Sequence, residues 1–290
     1  MPKAVASLPP WIVIDPLLQR WLQEDIGRGD RTTQSLFSQR QAPIGQAQLI
    51  LKADGVVAGL PFVERVFWLL DSSVKLDIQL AEGCAGSPKI LIATIEAPLD
   101  ILLMGERVAL NILMRLSGIA TTTAQYAALI ADLPTRLVDT RKTTPGLRLL
   151  EKYAVQVGGG QNHRFGLDDA IMIKDNHIQA GGGIAQAIAA VRESMPYPLA
   201  IEVEAETPEQ AIEAVTEGAD IVMLDNMSVA MMKELIPQLK QKNLRIKLEA
   251  SGNITLETLR CVAETGVDYI STSATITRAP WLDISMKISA

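Results

Sequence analysis

From Pro134 onward, short β-rich runs alternate with helical stretches, and this alternation limits the possible folds more than any other feature of the chain. The strand candidates are 136–139, 170–174, 199–204, 220–224, 245–250 and 268–271. Helical stretches fall at 144–156, 183–193, 207–217, 228–241 and 255–264. Thr207-Pro208 reads as a cap followed by a first-turn proline, and Gly218, Asn243 and Gly266 sit where helices should stop. Regular strand–helix repetition implies a parallel sheet with right-handed crossovers. The pattern by itself leaves an open doubly wound sheet and a closed barrel both standing. The strand ends tilt the choice: Arg141 and Lys142, Lys174, Glu204, Asp225, Ser251, and Ser271 to Ser273 are polar. A barrel gathers all its strand ends at one mouth, whereas an open sheet uses only those near a switch point. About six strands can be counted against the usual eight, which leaves room for an incomplete or otherwise unusual barrel.

The first hundred residues have an α+β texture. Leu17, Leu18, Trp21 and Leu22 have helical spacing, and Gly27 to Asp30 break it. Runs 46–52 and 56–60 read as strands joined by a hairpin turn at Ala53-Asp54-Gly55. A helix is expected at 61–70, a strand at 90–96 and a long helix at 99–118. Arg107, Asn111 and Arg115 share one stripe of that long helix.

Composition excludes several classes. With 290 residues and 48% apolar content the chain can bury a large core, and with only 4% aromatics that core must be mainly aliphatic. A net charge of −6 argues against nucleic acid as the main partner. No apolar run is long enough for a membrane span, and Met1 to Pro10 lacks the apolar stretch of a secretory leader. Cys84 and Cys261 form no metal-ligand spacing. A reduced, cytoplasmic enzyme is expected.

The chemistry concentrates between Asp139 and Ile178, which holds both histidines, His163 and His177. Arg141, His163, Arg164 and Lys174 can together bind two carboxylates or phosphates. Glu204 and Asp225 end consecutive strands and suit ribose hydroxyls or Mg²⁺. Glu202 shares a strand face with Glu204 and is left as structural. Ser251-Gly252-Asn253 and Thr272-Ser273-Ala274 are small-residue loops after the last two strands, where barrels often hold phosphate.

The runs Asp-Thr-Arg-Lys-Thr-Thr-Pro-Gly-Leu-Arg (139–148), Gly-Gly-Gly-Gln-Asn-His-Arg (158–164) and Ile-Lys-Asp-Asn-His-Ile (173–178) resemble quinolinate phosphoribosyltransferases. The resemblance extends to Glu24-Asp25-Ile26-Gly27 with Asp30, Gly105-Glu106-Arg107 with Asn111, the Glu-Val-Glu strand, Ser-Gly-Asn and Leu-Asp-Ile-Ser near the end. It implies two domains: an N-terminal α/β sandwich over 1–115, joined by the tail 280–290, and a six- to seven-stranded incomplete barrel over 116–279. It implies phosphoribosyl transfer from phosphoribosyl pyrophosphate to quinolinate with decarboxylation, using Mg²⁺, in a homodimer or an assembly of dimers with shared sites. Arg107 would reach the neighbouring subunit's pocket. Arg141, His163, Arg164 and Lys174 would hold the two carboxylates, with Thr140 beside them. Lys142, Glu204 and Asp225 would serve the sugar donor and the metal, and Ser251, Gly252, Asn253, Thr272, Ser273 and Ala274 would cradle the 5′-phosphate. The family often reads Ser-x-Gly-Ala-Leu-Thr-His-Ser in the last loop. Here Ser273 replaces the glycine, Thr277 the histidine and Arg278 the final serine. The rival readings are a phosphoribosyltransferase for another aromatic acid, a Schiff-base lyase using Lys174, and a phosphosugar-binding sensor without catalysis.

Overall fold

A computed structural model describes residues 6–289, so the stretch Met1–Pro10 read for a leader lies partly outside the described residues. The chain divides into two units: Met1–Ala124 with Leu149–Gly159 and Ala279–Ala290, and Gln125–Arg148 with Gly160–Arg278.

The first unit opens with α1 (Trp11–Ile26), which buries Ile14, Leu18 and Leu22 at helical spacing and is ended by Gly27 with φ 56°. Asp30 then caps α2 (Arg31–Leu36) by accepting the Thr33 N–H at 3.1 Å. In β1 (Ile44–Leu51) every second residue points inward, with Ala47, Leu49 and Leu51 fully buried. The remaining elements are β2 (Gly55–Val56), α3 (Leu60–Leu70), β3 (Lys75–Ile78), β4 (Ala85–Gly86), β5 (Leu91–Pro98), α4 (Leu99–Leu129), α5 (Arg148–Val157) and, at the end of the chain, β12 (Ile284–Ser289). Four strands form an antiparallel sheet in the order β12-β1-β5-β3. Phe62 and Phe67 on α3 are fully buried, each worth about 1.5–3 kcal/mol.

The expected hairpin at 53–55 does not form. β1 has β12 on one edge and β5 on the other, so both its edges are hydrogen-bonded. Gly55 and Val56 pair instead with Gly86 and Ala85. The expected strand 56–60 also stops early, because Leu60 begins α3, with a proline in its first turn. The helix expected at 99–118 runs to Leu129, so the boundary at 115/116 falls inside α4. The first unit keeps α4 as far as Ala124 and takes in 149–159 as well.

The second unit contains β6 (Arg136–Val138), β7 (Ile171–Ile173), α6 (Asp175–Gly181), α7 (Ile184–Ser194), β8 (Ile201–Ala205), α8 (Pro208–Thr216), β9 (Ile221–Asp225), α9 (Val229–Lys242), β10 (Lys247–Ser251), α10 (Leu256–Ala263), β11 (Tyr269–Ser271) and α11 (Ala274–Thr277). Its six strands are all parallel, in the order β6-β11-β10-β9-β8-β7. Among the described residues, beyond β6 lies only a single bridge, Val138 to Gln161, and β6 does not pair with β7. The barrel is therefore incomplete.

Register assigns the two faces. Glu202 pairs with Ile221 and Glu204 with Met223; Met223 pairs with Glu249, and Glu249 with Tyr269. These residues share one face, and it carries Glu202, Glu204, Asp225, Glu249, Ser251 and Ser271. The opposite face carries Ile201, Val203, Val222, Leu224, Leu248, Ala250 and Ile270, all in the hydrophobic core formed with the helices. The apolar face is fixed by burial, and the polar face is left for the barrel interior and its mouth. α8, α9 and α10 start on Thr207, Ser228 and Thr255, whose side chains each accept a first-turn N–H. No helix among the described residues is long and apolar enough to cross a membrane.

Candidate active site

Asp139 follows β6 and is fully buried. It accepts the Asn162 side-chain amide at 2.7 Å and the His163 N–H at 2.8 Å. One carboxylate thereby anchors the run 161–164 at the barrel end. The His163 ring accepts the Arg164 N–H on Nδ1 at 2.8 Å. Its Nε2 faces Glu202 Oε2 at 3.2 Å and Glu249 Oε2 at 3.6 Å. The resemblance implies that His163 meets the substrate's carboxylates; in the structure both its ring nitrogens face protein groups. Glu202, left as structural, is its nearer carboxylate, and Glu249 was not singled out.

Glu202 and Glu249 are each only 3% exposed, and each keeps one oxygen without a hydrogen bond. Burial, and then the neighbouring Glu202 charge, push the Glu249 carboxyl up to about 7, against the opposing pull of His163. With His163 they form a set of three groups whose ligand atoms lie within 4.8 Å of one another.

Arg164 is buried, and its guanidinium donates to the Ala170 carbonyl at 2.7 Å. Burial lowers its pKa, and the nearby positive Arg141 lowers it further. The Arg141 charge thus acts unfavourably on Arg164, and an anion bound by both would offset that repulsion. A cavity of about 370 Å³ lies beside Arg164, bordered by Leu167, Met172, His177 and Ala187. Its walls are mostly aliphatic, so it is not where a diacid is assigned.

Lys174 follows β7, and its ammonium is bonded to Glu204 Oε2 on β8. Its N–H is accepted by His177 Nδ1 at 3.0 Å, at the start of α6. Thr140 Oγ1 accepts the Lys142 N–H at 3.0 Å, and Lys142 itself is exposed. Arg148, not among the candidate residues named above, fastens this loop by donating to Thr143 Oγ1 at 3.1 Å and to the Phe165 carbonyl at 2.8 Å. Its only signal was its place at the end of the 139–148 run.

Asp225 accepts the Asn226 side-chain amide at 2.8 Å. The Asn226 N–H donates to the Ser251 carbonyl at 2.9 Å, which brings Asp225 and the Ser251-Gly252-Asn253 loop together. Thr272 lies after β11, with its Oγ1 accepting the Ala274 N–H at 3.1 Å. Ser273 has φ −83°, a conformation open to any residue, so the missing family glycine leaves no strain there. Thr277 spends its hydroxyl on the Ser273 carbonyl. Arg107 belongs to the other unit, on α4, with its side chain 60% exposed and Glu106 3.8 Å away.

The comparisons with known proteins agree across the chain. Residues 30–117 match the model of the N-terminal domain of quinolinate phosphoribosyl transferase, and residues 119–287 match that of its C-terminal domain. A probable carboxylating nicotinate-nucleotide pyrophosphorylase from Synechocystis is 55% identical over 99% of this chain and 96% of its own length. The human carboxylating nicotinate-nucleotide pyrophosphorylase is 38% identical over 99% of this chain and 96% of its own length. Among solved structures, NadC from Streptococcus pyogenes superposes with a TM-score of 0.91 at 40% identity, covering 98% of this chain and 99% of that one.

Proposed function

The chain belongs to the quinolinate phosphoribosyltransferase family, and from that premise we infer how its own residues carry out the reaction. It transfers the phosphoribosyl group of phosphoribosyl pyrophosphate to quinolinate and releases CO₂, giving nicotinate mononucleotide and pyrophosphate in NAD biosynthesis. The observation that supports the roles below is the Lys174–Glu204 ion pair. It joins the cations suited to the diacid to the acids suited to the sugar donor.

Arg141 and Arg164 hold quinolinate, whose anionic charge relieves the repulsion between them. Lys174 has three donors, so its bond to Glu204 leaves two for a carboxylate. His163 holds the Arg164 backbone by accepting its N–H on Nδ1. The ring nitrogen of quinolinate must attack the anomeric carbon as pyrophosphate leaves. Glu204 and Asp225 orient the ribose hydroxyls and favour positive charge growing on the sugar. Lys142, exposed at the mouth, neutralises the departing pyrophosphate. Backbone groups of Ser251-Gly252-Asn253 and Thr272-Ser273-Ala274, with Thr140 nearby, receive the 5′-phosphate and the donor's remaining oxygens. Once the ring is a pyridinium, the bond from the ring carbon beside the nitrogen to its carboxylate breaks and CO₂ leaves. The electron pair stays on that carbon, stabilised by the adjacent positive nitrogen, and a proton from solvent then takes the place of the carboxylate. Too firm a grip on that carboxylate would oppose its loss, so the tightest arginine contacts belong on the one that stays.

Mg²⁺ fits the donor set: Glu204 and Asp225 are hard oxygen ligands at the ends of adjacent strands. When bound it neutralises pyrophosphate charge. We assign the protein to the cytoplasm, as a homodimer or an assembly of dimers in which the exposed Arg107 enters the partner's pocket.

Incubation with quinolinate, phosphoribosyl pyrophosphate and Mg²⁺ tests the reading. Nicotinate mononucleotide and CO₂ should appear in equal amounts. Turnover of nicotinate but not quinolinate would favour the relative acting on another aromatic acid. The Schiff-base alternative fits less well. Such lysines are activated by apolar burial or a neighbouring cation, whereas Lys174 has a carboxylate for a partner.

A further inference from the structure

Asn226 follows Asp225 with φ 54°, in the left-handed region that non-glycine residues rarely occupy. Three hydrogen bonds hold it there. Its N–H donates to the Ser251 carbonyl at 2.9 Å. Its Nδ2 donates to Asp225 Oδ2 at 2.8 Å. Its Oδ1 accepts from Asn253 Nδ2 at 3.2 Å, and Asn253 is also left-handed, with φ 50°. The partners fix which way the amide points: turned over, its oxygen would face a carboxylate and its nitrogen another nitrogen donor. Between the two asparagines lies Gly252, with φ 96°. A Cβ on Gly252 would run into the Asn226 amide and come within 2.9 Å of its backbone nitrogen. The Asn226 carboxamide thus fills a slot between the end of β9 and the loop after β10.

We propose that Asn226 is the positioning residue for the sugar donor: it holds one oxygen of Asp225 so that the other faces the ribose, and ties that carboxylate to the Ser251–Asn253 loop. The ribose contact and the phosphate contact are then set by one amide and shift together. This inference rests on the assignment of Asp225 and that loop to phosphoribosyl pyrophosphate.

Two variants test it. Asn226→Gly keeps the left-handed backbone and the bond to Ser251, and removes only the carboxamide. Asn226→Asp keeps size and backbone tolerance but sets a like charge against Asp225. Circular dichroism confirms folding, and if one variant fails to fold the other carries the test. Calorimetry with phosphoribosyl pyrophosphate alone, and the KM of each substrate, are the readouts. Losing a hydrogen bond to a charged group should weaken donor binding about tenfold or more and leave the quinolinate KM within about twofold. In an Asp225→Asn background, Asn226→Gly should add little further loss, because the interaction it supports is already gone. Wild-type donor affinity in both variants, equal movement of both KM values, or additive losses would overturn the proposal. A wild-type protein that turns over the two substrates while the variants bind the donor normally sinks only this inference. A wild-type protein that binds no phosphoribosyl pyrophosphate sinks the functional reading as well.

Discussion

At the scale of single residues, the buried Glu249 has the clearest thermodynamic consequence. Its carboxyl is raised from the usual carboxylate range to about 7, first by burial and then by Glu202. Between the two values the unfolded chain has lost this proton and the folded chain keeps it. Unfolding therefore releases a proton, and stability falls as pH rises through that window, by at most about 1.4 kcal/mol per pH unit. Below the window both states are protonated; above about pH 7 both are ionised and the penalty is constant. Glu249→Gln should flatten the slope and raise the unfolding midpoint at pH 8 relative to wild type. Urea titrations at pH 5, 6, 7 and 8 measure it, and parallel curves for the two proteins would refute it. Much at this scale was legible from strand-end placement: Arg141, Lys174, Glu204 and Asp225 were picked out that way. Glu249 and Asn226 were not, because neighbours more than twenty residues away in sequence complete the setting of each. For Glu249 those are Glu202 and His163; for Asn226 they are Ser251 and Asn253. No local spacing encodes such a meeting.

At the scale of elements, period and punctuation served the barrel better than the sandwich. Each β-then-α repeat is local: Thr207-Pro208 starts a helix, Gly218 follows it, and the next strand begins with Ile221. The first unit depends on a non-local partner. β1 is joined along its length, Gln46 with Ser289 through Leu51 with Ile284, by a strand from the other end of the chain. A hairpin at 53–55 was the best local solution and lost to that pairing. α6 was missed for the opposite reason, since its seven residues carry no buried stripe. The same long-range closure constrains Gly118, which the sequence suggested as the end of a helix. It lies inside α4, and a Cβ there would be driven into the Pro280 carbonyl, whose carbon would be 3.0 Å away. Leu282 is bonded to the Met114 carbonyl at 3.0 Å, so this backbone segment cannot easily retreat. Alanine's better helix propensity returns about 1 kcal/mol, while overpacking costs about 1–3 kcal/mol, at the upper end against backbone. Gly118→Ala should therefore lower stability by about 1–2 kcal/mol. This would be read as a lower urea midpoint at unchanged slope; an equal or higher midpoint would mean that the tail shifts freely.

At the scale of the whole molecule, the chain carries a site that we assign as complete only in an assembly. A net charge of −6 with cations gathered at one strand-end mouth already pointed to a small anionic substrate. Charge alone could not say where Arg107 acts, because that residue sits in the other unit and most of its side chain is in solvent. Complementation separates the two possibilities. In a twofold dimer each subunit gives the same surface to its partner. Suppose Arg107 acts across the interface, and Arg107→Ala subunits are paired with Lys174→Ala subunits. The pocket with an intact Lys174 then receives an intact Arg107, and the other pocket loses both. Random mixing makes about half of the dimers hybrid, so about a quarter of all sites should recover wild-type function. If Arg107 served its own subunit, every pocket would lack one of the two residues and the mixture would stay as inactive as its parents. Differently tagged subunits, purified as hybrids after co-expression, give the answer directly: restored turnover places Arg107 in the partner's pocket, and silence in a demonstrated hybrid returns it to its own chain.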